Sequence, residues 1–301
     1  VHDYWPSPRK MARATIIGFT AVLQWALLAL FTIGSAPVPP LMLNAMCFAI
    51  GGAIGMIWTL ANGRAHVLRD VPWKVYAFGT LGLFGAHFLY FTAFRMAPLA
   101  ETGLIAYLWP LLIVLMSGLL PGERLGSLHV VGAVTAFAGA GLIVLRGGTA
   151  MDAAALPGFG VAFIFALTWA SYSVLSRRLG TTPTEAVTVF CLAAAVLSAL
   201  AHLAIEQTIW PQNALGWASV AALGLGPVGL AFYVWDVGMK RGDIQLLGVM
   251  SYAAPLLSTL ALVAAGKTQP TAALALAAVL ITLGAVLASR SGRPAGNPRQ
   301  A

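Results

Sequence analysis

Charge is what this sequence has least of. Asp, Glu, Lys and Arg make up 9% of its 301 residues, against roughly 25% in ordinary soluble domains, which excludes a chain kept in water by a polar surface. Cysteine is scarce as well. Cys47 and Cys191 both lie inside apolar runs, so no disulfide framework or metal-ligand spacing is offered and both read as small core side chains. No Gly-x-Ser-x-Gly elbow, aspartate pair or metal-binding cluster occurs. An integral-membrane enzyme therefore lacks its usual signatures, and neither a metal nor another cofactor is expected.

Apolar residues take up the space: they form 59% of the chain, with a mean hydropathy of +0.86. A membrane-crossing helix needs about 20 mostly apolar residues. Ten runs qualify, at about 12–33, 40–60, 73–95, 98–120, 127–146, 158–176, 183–205, 215–238, 243–265 and 271–289, and they are numbered here as spans 1 to 10. Connections are short, the longest being 61–72 and 147–157, so function must lie among the helices. Net charge is +8, which in a polar chain would suggest nucleic acid. Here the Lys and Arg residues fall at span ends. Fourteen lie on one side (Arg9, Lys10, Arg13, Arg64, Arg69, Lys74, Arg124, Arg177, Arg178, Lys240, Arg241, Arg290, Arg293, Arg299) and three on the other (Arg95, Arg146, Lys267). By the positive-inside rule both termini are expected in the cytoplasm.

Two stretches 145 positions apart nearly repeat each other: Gly103–Leu115 (GLIAYLWPLLIVL) and Gly248–Leu260 (GVMSYAAPLLSTL). Gly103/Gly248, Tyr107/Tyr252 and Pro110/Pro255 match, which puts a proline mid-span in spans 4 and 9. Five spans per half is an odd number, so the second half starts on the opposite face and the halves are inverted. The expected fold is an all-α integral membrane protein of ten transmembrane helices, arranged as two inverted five-helix repeats around a central cavity. Its parts are a cytoplasmic N-terminal segment 1–11, a first repeat 12–146, a periplasmic linker 147–157, a second repeat 158–289 and a cytoplasmic tail 290–301 without fixed structure. Trp25/Trp169 and Arg95/Lys240 are weaker traces of the same duplication. Gly51 and Gly55, and Gly132, Ala136 and Ala140, have the small-xxx-small spacing of close helix packing. Pro227, in Gly224–Pro227, marks a third break, in span 8.

Polar groups at membrane depth are costly and point first to function. Gln24, His87, Glu101, Gln245 and Ser251 are candidates, together with the aromatic Trp25, Tyr90, Tyr107, Trp109, Trp169 and Tyr252. Pro110, Pro227 and Pro255 are candidate hinges. His87 and Tyr90 share one helical face with Phe94, and Glu101 shares another with Leu108 and Trp109. Those faces either orient the span 3–4 hairpin or serve substrate and a coupled proton. Asp236 is four residues before Lys240 and reads as an ion pair, while Glu185, His202 and His129 read as interfacial. Trp5, Trp73, Trp210 and Trp217 read as belt residues. An aromatic cavity flanked by broken helices suits a small zwitterion with an apolar side chain. A phosphate-bearing substrate would need a cation at the midplane, and none is present.

The ten-span layout, with Met96-Ala97-Pro98-Leu99-Ala100 leading into span 4, resembles the drug/metabolite transporter superfamily and its EamA-type repeats. The string Glu101-Thr-Gly-Leu-Ile-Ala-Tyr107-Leu-Trp109-Pro110 looks like the fourth helix of YddG-type aromatic amino acid exporters. That resemblance implies a bacterial inner-membrane secondary transporter that exports aromatic and other neutral amino acids by alternating access. A multidrug or quaternary-cation exporter of the same superfamily is the alternative. The second half departs from the string, with Leu246 in place of Glu101 and Ala253-Ala254 in place of Leu108-Trp109, so the site is expected to be asymmetric and lined mainly by spans 3 and 4.

Overall fold

Within lipid each backbone polar group needs an internal partner, and a helix supplies it along a single segment. The computed structural model describes residues 7–145, 153–266 and 269–291, and within them the regular structure is helical throughout. Segments 1–6, 146–152, 267–268 and 292–301 lie outside the described residues. With them go Trp5, Arg146, Lys267, most of the expected linker and most of the tail.

Span 1 is made of α1 (Pro8–Trp25) and α2 (Leu28–Gly34), span 2 of α3 (Pro40–Ala61) and span 3 of α4 (Trp73–Met96). Span 4 comprises α5 (Leu99–Ala106) and α6 (Leu108–Ser117), and span 5 is α7 (Ser127–Val144). The second half begins with α8 (Leu156–Arg178) as span 6 and α9 (Ala186–Ile205) as span 7. Span 8 runs through α10 (Ala214–Leu225), a π-turn at Gly226–Leu230 and α11 (Ala231–Arg241). Spans 9 and 10 are α12 (Ile244–Met250) with α13 (Ala253–Ala264), and α14 (Ala272–Arg290). Among the described residues, nine stretches are long and apolar enough to cross a membrane, and span 4 is the shorter tenth. The expected limits of the ten spans hold to within a few residues.

Helix pairing shows the duplication in three dimensions. α3 packs along α9, α6 against α12 and α7 along α14, while α1 lies on α11 and α4 on α8. Exchanging the halves maps spans 2–7, 4–9 and 5–10 onto themselves and swaps pair 1–8 with pair 3–6. An odd number of spans per half places that two-fold axis in the membrane plane.

Glycine lets the halves touch at the backbone. A Cβ on Gly18 would come 2.8 Å from the Gly238 Cα, one on Gly51 2.6 Å from the Gly229 Cα, and one on Gly132 2.5 Å from the Gly284 carbonyl. The small-residue spacing of spans 2 and 5 is thus used for packing, as its pattern indicates.

Four spans are broken. Spans 4, 8 and 9 break where their prolines indicate, at Tyr107, at Gly226–Leu230 and at Ser251–Tyr252. The break in span 1 has no proline or glycine: after Trp25 the Leu27 N–H turns back to the Gln24 carbonyl at 3.0 Å, a tighter bond than the helix uses. Breaks 4 and 9 meet, because the Leu111 N–H donates to the Tyr252 hydroxyl at 3.1 Å and a Cβ on Gly248 would stand 3.3 Å from the Pro110 carbonyl.

Replacing Gly132 with Val should prevent the α7–α14 approach and lower the thermal midpoint in detergent by several degrees. Gly160→Ala, where an added Cβ meets nothing within 4 Å, should leave the midpoint unchanged or slightly raised. Equal midpoints for both variants would show that backbone contact does not hold this pair.

Candidate functional site

The centre of the bundle is aromatic. The Trp25 ring lies 5.9 Å from Trp169, 6.0 Å from Trp109 and 5.0 Å from Trp235, centroid to centroid. Trp169 and Trp235 are nearly parallel, 18° apart with centroids at 6.4 Å, and Trp109 stands edge-on to Trp25, Trp169 and Trp235. Phe232 extends the group to Phe48 at 5.5 Å and to His87 at 5.6 Å. Of the side chains expected to line a cavity, Trp25, Trp109 and Trp169 touch one another in this structure.

Each member is positioned by helix geometry or a hydrogen bond. Trp25 closes α1 at the break, and its indole N–H donates to the Pro227 carbonyl at 3.0 Å, in the π-turn of span 8. Trp235 donates to the Ser173 hydroxyl at 3.1 Å. His87 Nδ1 donates to the Leu83 carbonyl at 2.8 Å; a carbonyl only accepts, so Nδ1 carries a proton. Tyr90 packs on Phe94 at 4.5 Å and Phe165 at 5.2 Å, and Tyr107 sits at the α5–α6 junction.

The candidates from sequence divide into two groups. Trp25, Trp109 and Trp169 come together, and His87 joins them through Phe232. Glu101 is buried in the first turn of α5, about 10 Å nearer the hairpin end than His87 by helical rise, so spans 3 and 4 put these two at different depths. Ser251 bonds its own helix, at the Leu247 carbonyl. Tyr252 belongs to a separate cluster with Val114, Ala136 and Leu256, where it serves the break in the other repeat. Gln245 donates to Glu123 at 3.1 Å, at the end of the bundle. Sequence reasoning missed Trp235 and Phe232, yet the duplication marks both: Trp235 follows Tyr90, and Phe232 follows His87, at the same spacing of 145 positions.

The two ends of the bundle are tied by charge. At one end Arg64 pairs with Glu185 at 2.6 Å, Arg177 with Glu123 at 2.8 Å and Lys240 with Asp236 at 2.8 Å, the last being the expected i,i+4 pair. Thr184 also donates to Asp236. At the other end Glu206 accepts from the Leu41 and Met42 amides at 3.1 and 3.2 Å, from His202 at 2.9 Å and from Arg95. Glu185 and His202 are thus buried members of networks that join helices far apart in sequence, not headgroup-facing residues, and His129 is buried with its Nδ1 accepting from the Gly126 amide. Trp73, Trp210 and Trp217 are exposed, as belt residues are.

Burial opposes ionisation of Glu206, but the hydrogen bonds from His202, Leu41, Arg95 and Met42 outweigh it and hold the carboxyl below its ordinary value. A carboxyl lowered by folding stabilises the fold above the usual carboxylate range and loses that contribution as pH falls through the lowered value.

Ten spans in two inverted halves, several of them broken, with an aromatic cluster between the halves, have the architecture of a membrane transporter. The model of the EamA-like transporter family matches residues 12–145 and 156–290, and the chain belongs to that family. It is 52% identical over 282 residues to the aromatic amino acid exporter YddG of Ancylobacter novellus, a match covering 93% of this chain and 98% of that protein. It is 27% identical over 264 residues to the aromatic amino acid exporter YddG of Salmonella typhimurium, covering 82% and 86%. A solved crystal structure 52% identical in sequence superposes with a TM-score of 0.89 over 93% of this chain and 98% of that one. The protein is thus a multi-pass membrane transporter.

Glu206→Gln should lower the thermal midpoint at neutral pH, by the equivalent of about 1–3 kcal/mol for a charged hydrogen-bond acceptor. The difference from the parent protein should disappear below the usual carboxylate range. A pH-independent difference would show that the charge of Glu206 contributes nothing.

Proposed function

We propose that this transporter exports aromatic and other neutral amino acids across the bacterial inner membrane by alternating access. The observation that supports this reading best is the cluster of Trp25, Trp109, Trp169 and Trp235, contributed by spans 1, 4, 6 and 8, three of them broken. A flat apolar side chain gains stacking and edge-to-face contacts among such rings, each worth about 0.5–1.5 kcal/mol beyond area burial. Substrate parts the rings on entering, and the broken spans let the halves open to one face at a time. The names of the two YddG relatives support the same substrate class. The uneven Lys and Arg distribution supports cytoplasmic termini, and Pro110, Pro227 and Pro255 are the hinges in this reading. The first repeat at 12–146 and the second at 158–289 are the units that rock. His87 and Glu101 are the candidates for a coupled proton.

The same tryptophan faces also suit a cation, which favours quaternary-ammonium export as a second reading. Competition between methyl viologen and phenylalanine separates the two: mutual inhibition indicates a shared site.

Purified protein in liposomes should move labelled phenylalanine or tryptophan down an imposed gradient. Trp109→Ala should reduce the apparent affinity for both about ten-fold and affect alanine less. No transport of any amino acid under proton, sodium or substrate gradients would overturn the proposal. Glu101→Gln tests the proton role by itself. Transport with unchanged rate and pH profile would remove Glu101 from it.

A further inference from the structure

The aromatic cluster accounts for a substrate's side chain and leaves its polar head without a partner. One buried group in the centre has the opposite deficit. Gln24 immediately precedes Trp25, at the break in span 1 and near the middle of Pro8–Gly34. Its Nε2 donates to the Thr20 carbonyl at 3.1 Å. A carbonyl can only accept, which fixes the orientation of the amide, so the other atom is Oε1, an acceptor. That Oε1 is shielded from solvent and has no hydrogen-bond partner among the described residues.

Its surroundings explain why the protein itself leaves it unmet. Oε1 faces the π-turn of span 8, 3.7 Å from where a Gly226 Cβ would stand, and apart from the turn's own neighbouring residues no other atom comes within 4 Å of that point. The Gly226 N–H is already given to the Ala222 carbonyl. Pro227 has no N–H, and the Trp25 indole N–H is given to the Pro227 carbonyl. These neighbouring donors are therefore either committed or missing. An orphaned buried acceptor costs about 1–3 kcal/mol, and such groups are rare enough in folded proteins that each calls for a reason.

We infer that Gln24 Oε1 receives the α-ammonium group of the substrate, an inference that rests on the amino acid reading above. The chemistry discriminates: an amide oxygen accepts from an ammonium N–H and repels a carboxylate. The Trp25 ring, held at the same turn of span 8 through the Pro227 carbonyl, favours the same positive charge. The break in span 8 adds room without a competing side chain, because position 226 is glycine. A site that hydrogen-bonds one polar group of a ligand rejects analogues lacking that group more strongly than a hydrophobic pocket rejects a change of size. On this basis Gln24 separates amino acids and aromatic amines from aromatic acids of the same shape.

The test compares binding of three ring-bearing ligands to purified protein: phenylalanine, phenethylamine (ammonium only) and 3-phenylpropionate (carboxylate only). Gln24→Met keeps the length of the side chain and removes the acceptor, whereas Gln24→Glu keeps an acceptor and adds charge. Gln24→Met should weaken phenylalanine and phenethylamine about ten-fold or more and leave phenylpropionate unchanged or bound more tightly, with Gln24→Glu retaining the first two. If Gln24→Met weakens all three equally, or none of them, Gln24 only packs and the inference is overturned. If the parent protein binds none of the three, the amino acid reading itself fails and takes this inference with it.

Discussion

Everything in this fold follows from one requirement: inside lipid a backbone N–H or C=O must find a partner within the protein. Continuous helices meet it alone. A broken helix frees groups it can no longer bond, so it can persist only where another element supplies donors and acceptors. Here two breaks are answered from the opposite half. The Pro227 carbonyl of span 8 is met by the Trp25 indole and the Leu111 amide of span 4 by the Tyr252 hydroxyl. The bonds that make the breaks tolerable therefore also join the two repeats, and the aromatic centre lies beside the Trp25–Pro227 bond.

The pairing of spans makes the asymmetry between the halves informative. Pair 1–8 is broken on both members, whereas α4 and α8, the members of its symmetric counterpart, are each continuous. Aromatic content follows the duplication at the Trp25/Trp169 and Tyr90/Trp235 positions, then departs from it at Trp109, which has Ala254 opposite. The centre is thus a nearly symmetric aromatic frame with one unmatched tryptophan from span 4 inserted into it.

Much of the architecture was legible in the sequence because lipid imposes length and apolarity on every span, and a mid-span proline announces its own break. The break in span 1 was not legible. Gln24–Leu28 contains only residues that form good helices, and the departure depends on what span 8 offers in space. The same limit explains the site residues. Spacing places Tyr252 and Gln245 on helical faces but does not say which neighbour each face meets. Glu185 and His202 lie near span ends, where headgroups are the usual company; their actual partners, Arg64 and Glu206, are a residue of a distant loop and one in the following turn.

The glycine crossings between the halves have a further consequence. Where Gly51 meets Gly229, backbone lies on backbone. A contact without side chains has no rotamers to unlock and no interdigitated ridges to lift past one another. Two helices joined that way can change their crossing angle with little friction, as a shaft turns in a plain bearing. In the alternating-access cycle proposed above, the residues with the least chemistry in the chain would thus set how cheaply its two halves rock.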